Sequence, residues 1–378
     1  MTNNMAEKSP MAAKPHYIIL DGLRGVAALM VLGYHLFEAV AFAEGAPEQK
    51  MFNGFLGVDF FFILSGFVMG YAYDKRWNVM SVGDFVKRRL IRLHPMVLMG
   101  VLIGVVAFCI QGCEKWDGSH VSLSLLMTSM LLAMFLLPVP SSMDVRGNTE
   151  IFPLNGPHWS LFFEYIGSLL YALLLHKLSD RILKLWVAVM AEALLLIGLF
   201  GPAGSIAYGW SSEPINLLGG SVRLLFCYPM GLLLSRLFLQ HDPQKINGLV
   251  FGATAVLLVL LLSVPSFHAL VPNVVYQFIC VTLLFPAIIW TAARGEVKDG
   301  RKKVVSFLGR ISYPLYAVHY PFIYLYIDWI NKGTTPFGPL GWTTPVIVAA
   351  MSITTAAICL IFYDEPIRRW LPTKIKYK

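Results

Sequence analysis

Arg24 and His35 are ionisable residues that lie eleven positions apart inside the first apolar segment, residues 18–42. On an α-helix, eleven residues advance about 1100°, within ~20° of three full turns, so both side chains share one face, about 16 Å apart along the axis. Ionisable residues in a hydrocarbon environment usually mark a functional site. The pair predicts one wall of a channel or catalytic tunnel. The alternative is that both residues are structural and each bonds to a neighbouring helix.

The composition is that of a membrane protein. Of the 378 residues, 57% are hydrophobic and 14% are charged, and the mean hydropathy is +0.64. Soluble proteins carry about 25% charged residues. Apolar runs long enough to cross a bilayer recur along nearly the whole chain, which predicts an all-α, polytopic integral membrane helical bundle. The net charge of +8 does not indicate nucleic-acid binding, because the cations cluster in short loops where they set topology.

Basic loops decide how many of the apolar segments cross the membrane. Eleven segments are recognisable: 18–42, 55–73, 90–112, 121–137, 158–176, 182–200, 217–239, 247–264, 273–293, 307–330 and 343–363. If all of them crossed, three basic stretches would lie outside, against the positive-inside rule. We therefore predict about ten transmembrane helices plus one interfacial or re-entrant helix at 121–137. The predicted organisation is a cytoplasmic tail (1–17), a transmembrane domain (18–363) and a cytoplasmic basic tail (364–378).

This topology places a layer of arginines near the cytoplasmic side, namely Arg24, Arg89 and Arg92. Guanidinium groups hold phosphates through paired, charge-assisted hydrogen bonds, so the layer suits a polyanion that arrives from the cytoplasm. For Arg89 and Arg92 the alternative is an ordinary topology signal at the cytoplasmic end of a helix.

The outer half of the membrane would contain His35, Asp59 and Glu164. A neutral imidazole beside a carboxylate can take a proton from a hydroxyl and return it to a leaving group. Asp59 or Glu164 could orient the imidazole, and a buried ion pair between helices is the alternative for Asp59. We also predict an interhelical pair between Glu192 and Arg223.

A late helix contains a histidine between two prolines. Pro314 and Pro321 are expected to kink this helix and to free backbone carbonyls. His319 is then either a partner for a freed carbonyl, which we favour, or a second catalytic imidazole. The small residues within 64–70 predict a close helix–helix approach. No metal-ligand cluster is recognisable, and no metal is predicted.

Several motifs resemble those of the membrane-bound acyltransferase 3 family. The opening LDGLRGVAA at 20–28, followed by Tyr34-His35, is similar to the start of that family. The other matches occur in the family's order: GVDFFFILSGF at 57–67, Arg89-x-x-Arg92, Trp159-Ser160-x-x-x-Glu164, LGRISY at 308–313, His319-Tyr320-Pro321 and DEPIRR at 364–369.

The resemblance implies a transmembrane acyltransferase of the cell inner membrane. It would move an acyl group, most often acetyl, from cytoplasmic acyl-CoA to a hydroxyl of a surface or lipid-linked carbohydrate. The family's Arg-x10-His element implies that Arg24 and His35 are needed for activity, and its Arg-x-x-Arg element implies that Arg89 and Arg92 bind acyl-CoA.

The residues and the resemblance together suggest one mechanism. The phosphates of CoA would rest on the arginines, and His35 would deprotonate the acceptor hydroxyl with Asp59 or Glu164 nearby. A covalent acyl-histidine intermediate stays open. The family often carries a fused esterase-like domain, which is not found up to Lys378, so transfer is expected to use the membrane core alone or a separate partner protein. The family usually has a Trp near the late histidine, where this chain has Val318. The resemblance therefore gives little support to a catalytic role for His319.

A non-enzymatic function remains as the alternative. A membrane transporter of a polyanionic or glycan substrate would also need two layers of buried charge. Such transporters often contain inverted repeats, and we find no convincing similarity between residues 18–176 and 182–363.

Overall fold

A computed structural model describes residues 17–43, 52–241, 244–246, 249–297, 299–333 and 340–374. Over these ranges the chain is helical, with isolated bridges but no β-strand. This confirms the predicted all-α bundle. Most of the predicted N-terminal tail and the last four residues of the predicted C-terminal tail lie outside the described residues.

The first part of the chain forms helices of 12 to 29 residues. We number them α1 Ile18–Ala43, α2 Gly57–Tyr73, α3 Val82–Ile110, α4 Leu123–Met134, α5 His158–Leu173, α6 Asp180–Phe200 and α7 Pro214–His241. Serine side chains cap three of these helices, where Ser81, Ser122 and Ser179 accept a hydrogen bond from a backbone N–H of the first turn.

The second part contains shorter helical pieces, and three of them continue almost directly into the next. They are α8 Val250–Ser263, α9 Leu270–Ile279, α10 Phe285–Ala293, α11 Asp299–Val318, α12 Tyr320–Lys332, α13 Thr343–Cys359 and α14 Glu365–Lys374. One π-helical turn, Cys280–Leu284, joins α9 to α10, and another, Leu360–Asp364, joins α13 to α14.

Eight helical stretches of the described chain are long and apolar enough to cross a membrane, by length and composition. They contain α1, α2, α3, α5, α6, α7, α9 with α10, and α13 with α14. Two further predicted spans correspond to α8, which has 14 residues, and to the broken pair α11 and α12. Helix α4 has 12 residues. At about 1.5 Å per residue, α4 and α8 cover only about 18 and 21 Å of a hydrocarbon core about 30 Å thick, so both are shorter than a full crossing.

Glycines allow the central helices to approach closely. A methyl group on Gly66 of α2 would lie 2.0 Å from the carbonyl oxygen of Tyr228 in α7, and one on Gly231 would lie 1.9 Å from that of Ile63. On the other side of the bundle, a methyl group on Gly25 of α1 would lie 2.3 Å from the carbonyl oxygen of Leu308 in α11. Small residues at such crossings are typical of membrane helix pairs, and they fix the positions of α1 and α2.

Helix α11 ends at Val318 and α12 begins at Tyr320, as the two prolines predict. Pro321 has no N–H group, so the carbonyl of Ala317, four residues earlier, loses its helical partner. Asn155 supplies the replacement, because its Nδ2 donates to the Ala317 carbonyl at 2.8 Å, with His158 Nε2 3.4 Å away. The break in the helix therefore anchors the loop that precedes α5.

That loop, residues 138–157, folds back into the bundle. Val139 donates its N–H to the Ile151 carbonyl at 2.9 Å. Asp144 is buried and accepts hydrogen bonds from the backbone N–H groups of Arg146 and Asn148 at 2.8 and 2.7 Å. These contacts give the loop a defined structure over one end of the bundle.

Candidate active site

A cavity of about 300 Å³ lies beneath this loop, and His35 and Glu38 line it from α1. We call it the histidine cavity. Its walls are unusually aromatic, with rings from Tyr34, Phe55, Trp116, Trp159, Trp210, Tyr316, Tyr320 and Tyr324. The loop contributes Asn148, Glu150 and the backbone at Gly156 and Pro157. The loop of residues 138–157 thus lines the cavity beside the imidazole.

His35 forms a dyad with Glu38. The imidazole Nδ1 lies 2.6 Å from Glu38 Oε2, and Tyr320 Oη donates to the same oxygen at 3.1 Å. An ionised carboxylate can only accept, so the proton of the neutral imidazole stays on Nδ1. Nε2 then carries the free lone pair, and it forms no hydrogen bond with any residue in the described part of the chain. This arrangement can accept a proton from a hydroxyl in the cavity.

A second carboxylic acid lines the same cavity. Tyr324 Oη donates to Glu150 Oε2, and the guanidinium carbon of Arg146 lies 3.4 Å from the centre of the Tyr324 ring. Burial raises the pKa of the Glu150 carboxyl to about 8, against the opposing effects of the Tyr324 hydrogen bond and of Arg146. At neutral pH Glu150 is therefore mostly protonated and can donate a hydrogen bond to a ligand.

A larger cavity, of about 440 Å³, lies at the opposite end of the bundle. We call it the arginine cavity, because Arg24, Arg88, Arg89 and Arg92 all line it. The structure thus brings together the three arginines that the sequence analysis selected. The carboxylates of Asp21 and Glu164 also line it, so the four guanidinium groups leave the cavity with a net positive charge.

The selected arginines differ in how firmly they are held. Arg89 is fixed by an ion pair with Glu164 and by a hydrogen bond from its Nε to Ser168 Oγ at 3.1 Å. Arg24 pairs with Asp21 on its own helix. Arg92 is exposed to the cavity and forms no hydrogen bond or ion pair with a residue that the structure describes. Of the three, Arg92 has the guanidinium most available to an anionic ligand.

Glu164 lies in the arginine cavity and not beside His35, so its placement in an outer layer with His35 was wrong. Glu164 is six residues into α5 and Arg89 is seven residues into α3. The two helices pack against each other, and the long Arg89 side chain reaches the Glu164 carboxylate within the arginine cavity. A buried guanidinium needs such a partner, which explains the pairing.

Asp59 does not orient His35 either. Arg223 Nε and Nη2 donate to the two Asp59 carboxylate oxygens at 2.9 and 2.7 Å, and Arg223 Nη1 donates to the Tyr208 carbonyl. Both carboxylate oxygens are occupied, and neither cavity is lined by Asp59. The predicted pairing of Arg223 with Glu192 was also wrong, because Glu192 is exposed on α6 while Arg223 faces the interior. Asp59 therefore forms a buried ion pair between helices, which was the alternative role given to it in the sequence analysis.

We predict that Asp59→Ala lowers stability by about 3–5 kcal/mol, because it leaves the Arg223 guanidinium buried without its counter-ion. Thermal unfolding of the detergent-solubilised protein measures the loss. Lys332→Ala is the control, since it removes an exposed i,i+4 pair with Asp328 that is worth at most about 1 kcal/mol. The double variant Asp59→Leu/Arg223→Met should recover part of the loss. Equal unfolding temperatures for Asp59→Ala and Lys332→Ala would contradict this role.

His319 has a structural position, but it does not contact the Ala317 carbonyl that Pro321 frees, which Asn155 and His158 contact instead. Its Nδ1 lies 3.0 Å from the carbonyl oxygens of both Leu315 and Tyr316, so this nitrogen carries the proton. Its ring centre is 5.3 Å from that of His35, and the side chain is buried outside the lining of the histidine cavity. His319 therefore supports the wall behind His35.

Three residues around the imidazole were not predicted from the sequence. They differ in how clearly the sequence pointed to them. Glu38 follows His35 by three positions, and side chains at this spacing lie on one helix face, so the dyad was visible in the sequence. Tyr320 follows directly after a recognised histidine. Glu150 carried no signal, because only the folding of its loop brings it to the cavity.

The two cavities adjoin each other. Val58 and Tyr316 line both of them, so these two side chains form the partition. Helix α1 runs past both cavities and presents Arg24 to one and His35 to the other. The eleven residues from Arg24 to His35 thus span the distance between the arginine cavity and the histidine cavity.

Comparison with known proteins identifies the family. The family model described as "Acyltransferase domain" matches residues 17–364. The chain is 30% identical over 188 residues to "Protein 2 in picA locus" of Rhizobium radiobacter, covering 48% of this chain and 93% of that protein. It is 29% identical over 328 residues to acyltransferase MdmB of Streptomyces mycarofaciens, covering 80% and 77%.

A third relative is longer than this chain. The O-acetyltransferase OatA of Staphylococcus aureus (strain NCTC 8325 / PS 47) is 26% identical over 376 residues, which cover 94% of this chain and 58% of OatA. No solved structure matches the chain. The match over nearly the whole chain decides for the enzyme over the transporter alternative. The chain therefore belongs to the membrane-bound acyltransferase 3 family and is an acyltransferase that transfers groups other than aminoacyl groups.

Proposed function

We propose that the protein transfers an acyl group, with acetyl as the expected group, from cytoplasmic acyl-CoA to a hydroxyl of a surface or lipid-linked carbohydrate. One observation carries the proposal. The arginine cavity adjoins the histidine cavity, which contains the His35–Glu38 dyad, and the side chains of Val58 and Tyr316 separate the two. A phosphate-bearing donor and a hydroxyl-bearing acceptor would approach this partition from opposite sides.

The arginine cavity suits the donor. CoA carries phosphate groups at one end and the thioester at the other, joined by a long flexible arm. Arg92 would bind phosphate oxygens with its unpaired guanidinium, and Arg24 and Arg89 would add positive charge beside it. The arm would then direct the thioester towards Val58 and Tyr316.

His35 would act as the general base. Its Nε2 takes the proton of the acceptor hydroxyl while the oxygen attacks the thioester carbonyl carbon. The carbon–sulfur bond then breaks, and the imidazolium returns the proton to the departing CoA thiolate. The products are an ester and CoA thiol. Glu38 holds the proton on Nδ1 and stabilises the imidazolium, a positioning role in which it replaces the predicted Asp59 and Glu164.

The histidine cavity suits a carbohydrate acceptor. Tryptophan and tyrosine rings present flat apolar surfaces on which the C–H faces of a sugar can pack. Asn148 and Glu150 offer hydrogen bonds to its hydroxyl groups. The printed name of the relative OatA, an O-acetyltransferase, agrees with transfer of acetyl to oxygen.

We further propose that the arginine end of the bundle faces the cytoplasm of the cell, with the enzyme in the inner membrane. Basic side chains are concentrated at this end, at Arg88, Arg89 and Arg92 of α3. The positive-inside rule assigns such an end to the cytoplasm, where acyl-CoA is made. Both chain termini would then be cytoplasmic.

The donor site is tested by acyl-CoA binding. We predict that Arg92→Ala raises the Kd for acetyl-CoA by about 10- to 100-fold, as expected for loss of one charge-assisted phosphate contact. Arg92→Lys should recover part of the affinity. Arg369→Ala is the control, because that side chain is 81% exposed and pairs with Glu365 outside the cavity. An unchanged Kd for Arg92→Ala would remove the arginine cavity as the donor site.

A further inference from the structure

Tyr316 and Val58 occupy a special position between the two cavities. Val58 belongs to the first turn of α2, and Tyr316 to the last turn of α11. Among the residues lining each cavity, these two are common to both. Any group that passes from the arginine cavity to His35 by this route must pass between them.

Tyr316 is held in place at three points. Its Oη lies 2.6 Å from Ser160 Oγ, and Ser160 Oγ in turn donates to the Pro157 carbonyl at 3.0 Å. Its ring meets Phe61 edge to face, with ring centres 5.5 Å apart. Its carbonyl accepts from His319 Nδ1 at 3.0 Å. With hydroxyl, ring and backbone all engaged, the ring has a fixed position at the partition.

The facing wall is equally constrained. Val58 directly precedes Asp59, which the paired hydrogen bonds from Arg223 lock to α7. A methyl group on the preceding residue, Gly57, would lie 2.7 Å from Val31 Cγ2, so the start of α2 also packs closely on α1. The width between Val58 and Tyr316 is therefore set by the packing of four helices, and not by a loop.

We propose that Val58 and Tyr316 form an aperture that sets the maximum size of the transferred acyl group. This inference rests on the proposed function, in which the thioester comes from the arginine cavity to His35. The acyl group lies at the leading end of the donor, so its bulk meets the aperture first. A rigid site distinguishes ligands that differ by one methylene by about 10- to 200-fold, so a fixed aperture can select acetyl over longer groups.

The experiment compares donors that differ in acyl length alone. Thiol release from acetyl-CoA, butyryl-CoA and octanoyl-CoA is measured with a panel of mono- and disaccharide acceptors, and kcat/KM is determined for each donor. We expect wild type to prefer acetyl over butyryl by about tenfold or more. Tyr316→Ala should lower this ratio at least about tenfold, chiefly by raising the butyryl rate, because it removes the ring.

Three further variants separate the aperture from general damage. Tyr316→Phe keeps the ring and should retain the preference of wild type. Val58→Ala widens the same aperture from the other wall without disturbing Ser160, so it should also favour the longer donors. Val189→Ala is the matched control, because Val189 is exposed on α6 and lines neither cavity. Its donor preference should equal that of wild type.

The outcomes distinguish this inference from the proposed function. Acetyl transfer by wild type, with an unchanged ratio in both Tyr316→Ala and Val58→Ala, would overturn the aperture and leave the acyltransferase mechanism standing. Equal rates of wild type with all three donors would overturn it as well. Absence of thiol release from every donor, together with absence of acetyl-CoA binding, would reject the proposed donor and the aperture with it.

Discussion

His35→Ala is expected to lower the rate of acyl transfer by about 10³-fold or more. General-base catalysis contributes about 10²- to 10⁴-fold, and in the proposed mechanism the same imidazole also returns the proton to the CoA thiolate. The donor Kd should change little, because His35 lies in the histidine cavity and the CoA phosphates are assigned to the arginine cavity. Thiol release under saturating acetyl-CoA, with binding measured separately, tests both expectations.

The control for this variant is another histidine of the same chain. His120 is exposed, and its Nδ1 lies 3.4 Å from the Cys113 carbonyl oxygen. His120→Ala should therefore keep wild-type transfer. If His35→Ala retained more than about a tenth of the wild-type rate while remaining folded, another group would have to supply the base.

Glu38→Gln is expected to lower kcat by about 10²-fold or more while leaving the acetyl-CoA Kd unchanged. The neutral amide cannot stabilise the imidazolium, and its NH₂ group can donate to Nδ1, which would favour the tautomer that lacks a lone pair on Nε2. The change is nearly isosteric, so the protein should keep its fold. A matched loss of donor affinity would instead indicate a structural role.

Tyr320→Phe refines this experiment. It removes the second hydrogen bond to Glu38 Oε2, which is 3.1 Å long, but leaves the carboxylate against His35. A single neutral hydrogen bond is worth about 0.5–1.5 kcal/mol, so the loss in kcat should be about tenfold at most. A larger effect for Tyr320→Phe than for Glu38→Gln would mean that the tyrosine hydroxyl, and not the carboxylate, supports catalysis.

The partners of the buried charges show where reasoning from sequence fails. Asp59 lies in the first turn of α2 and Glu164 lies six residues into α5, and both were assigned to the outer layer with His35. In the fold each is paired with an arginine, Asp59 with Arg223 and Glu164 with Arg89. The rotation of each helix about its axis and the choice of neighbouring helices decide these pairs. Neither can be deduced from the position of a residue along one apolar segment.

The sequence by itself determined the features that depend on local periodicity and composition. Apolar runs identified the membrane helices because a lipid environment requires every backbone group to bond within its own segment. Helical geometry put Arg24 and His35 on one face, and it would have put Glu38 beside His35. Pro321 predicted the break between α11 and α12 because it cannot donate a backbone hydrogen bond.

Only the tertiary structure decided how these parts meet. Both cavities are enclosed by side chains from several helices, with Val58 of α2 and Tyr316 of α11 lining both, and glycine contacts such as Gly66 with Tyr228 hold α2 against α7. Glu150 reaches the histidine cavity because its loop folds back into the bundle. Contacts between distant segments depend on the simultaneous packing of many side chains, and for this reason they could not be deduced from any one stretch of the sequence.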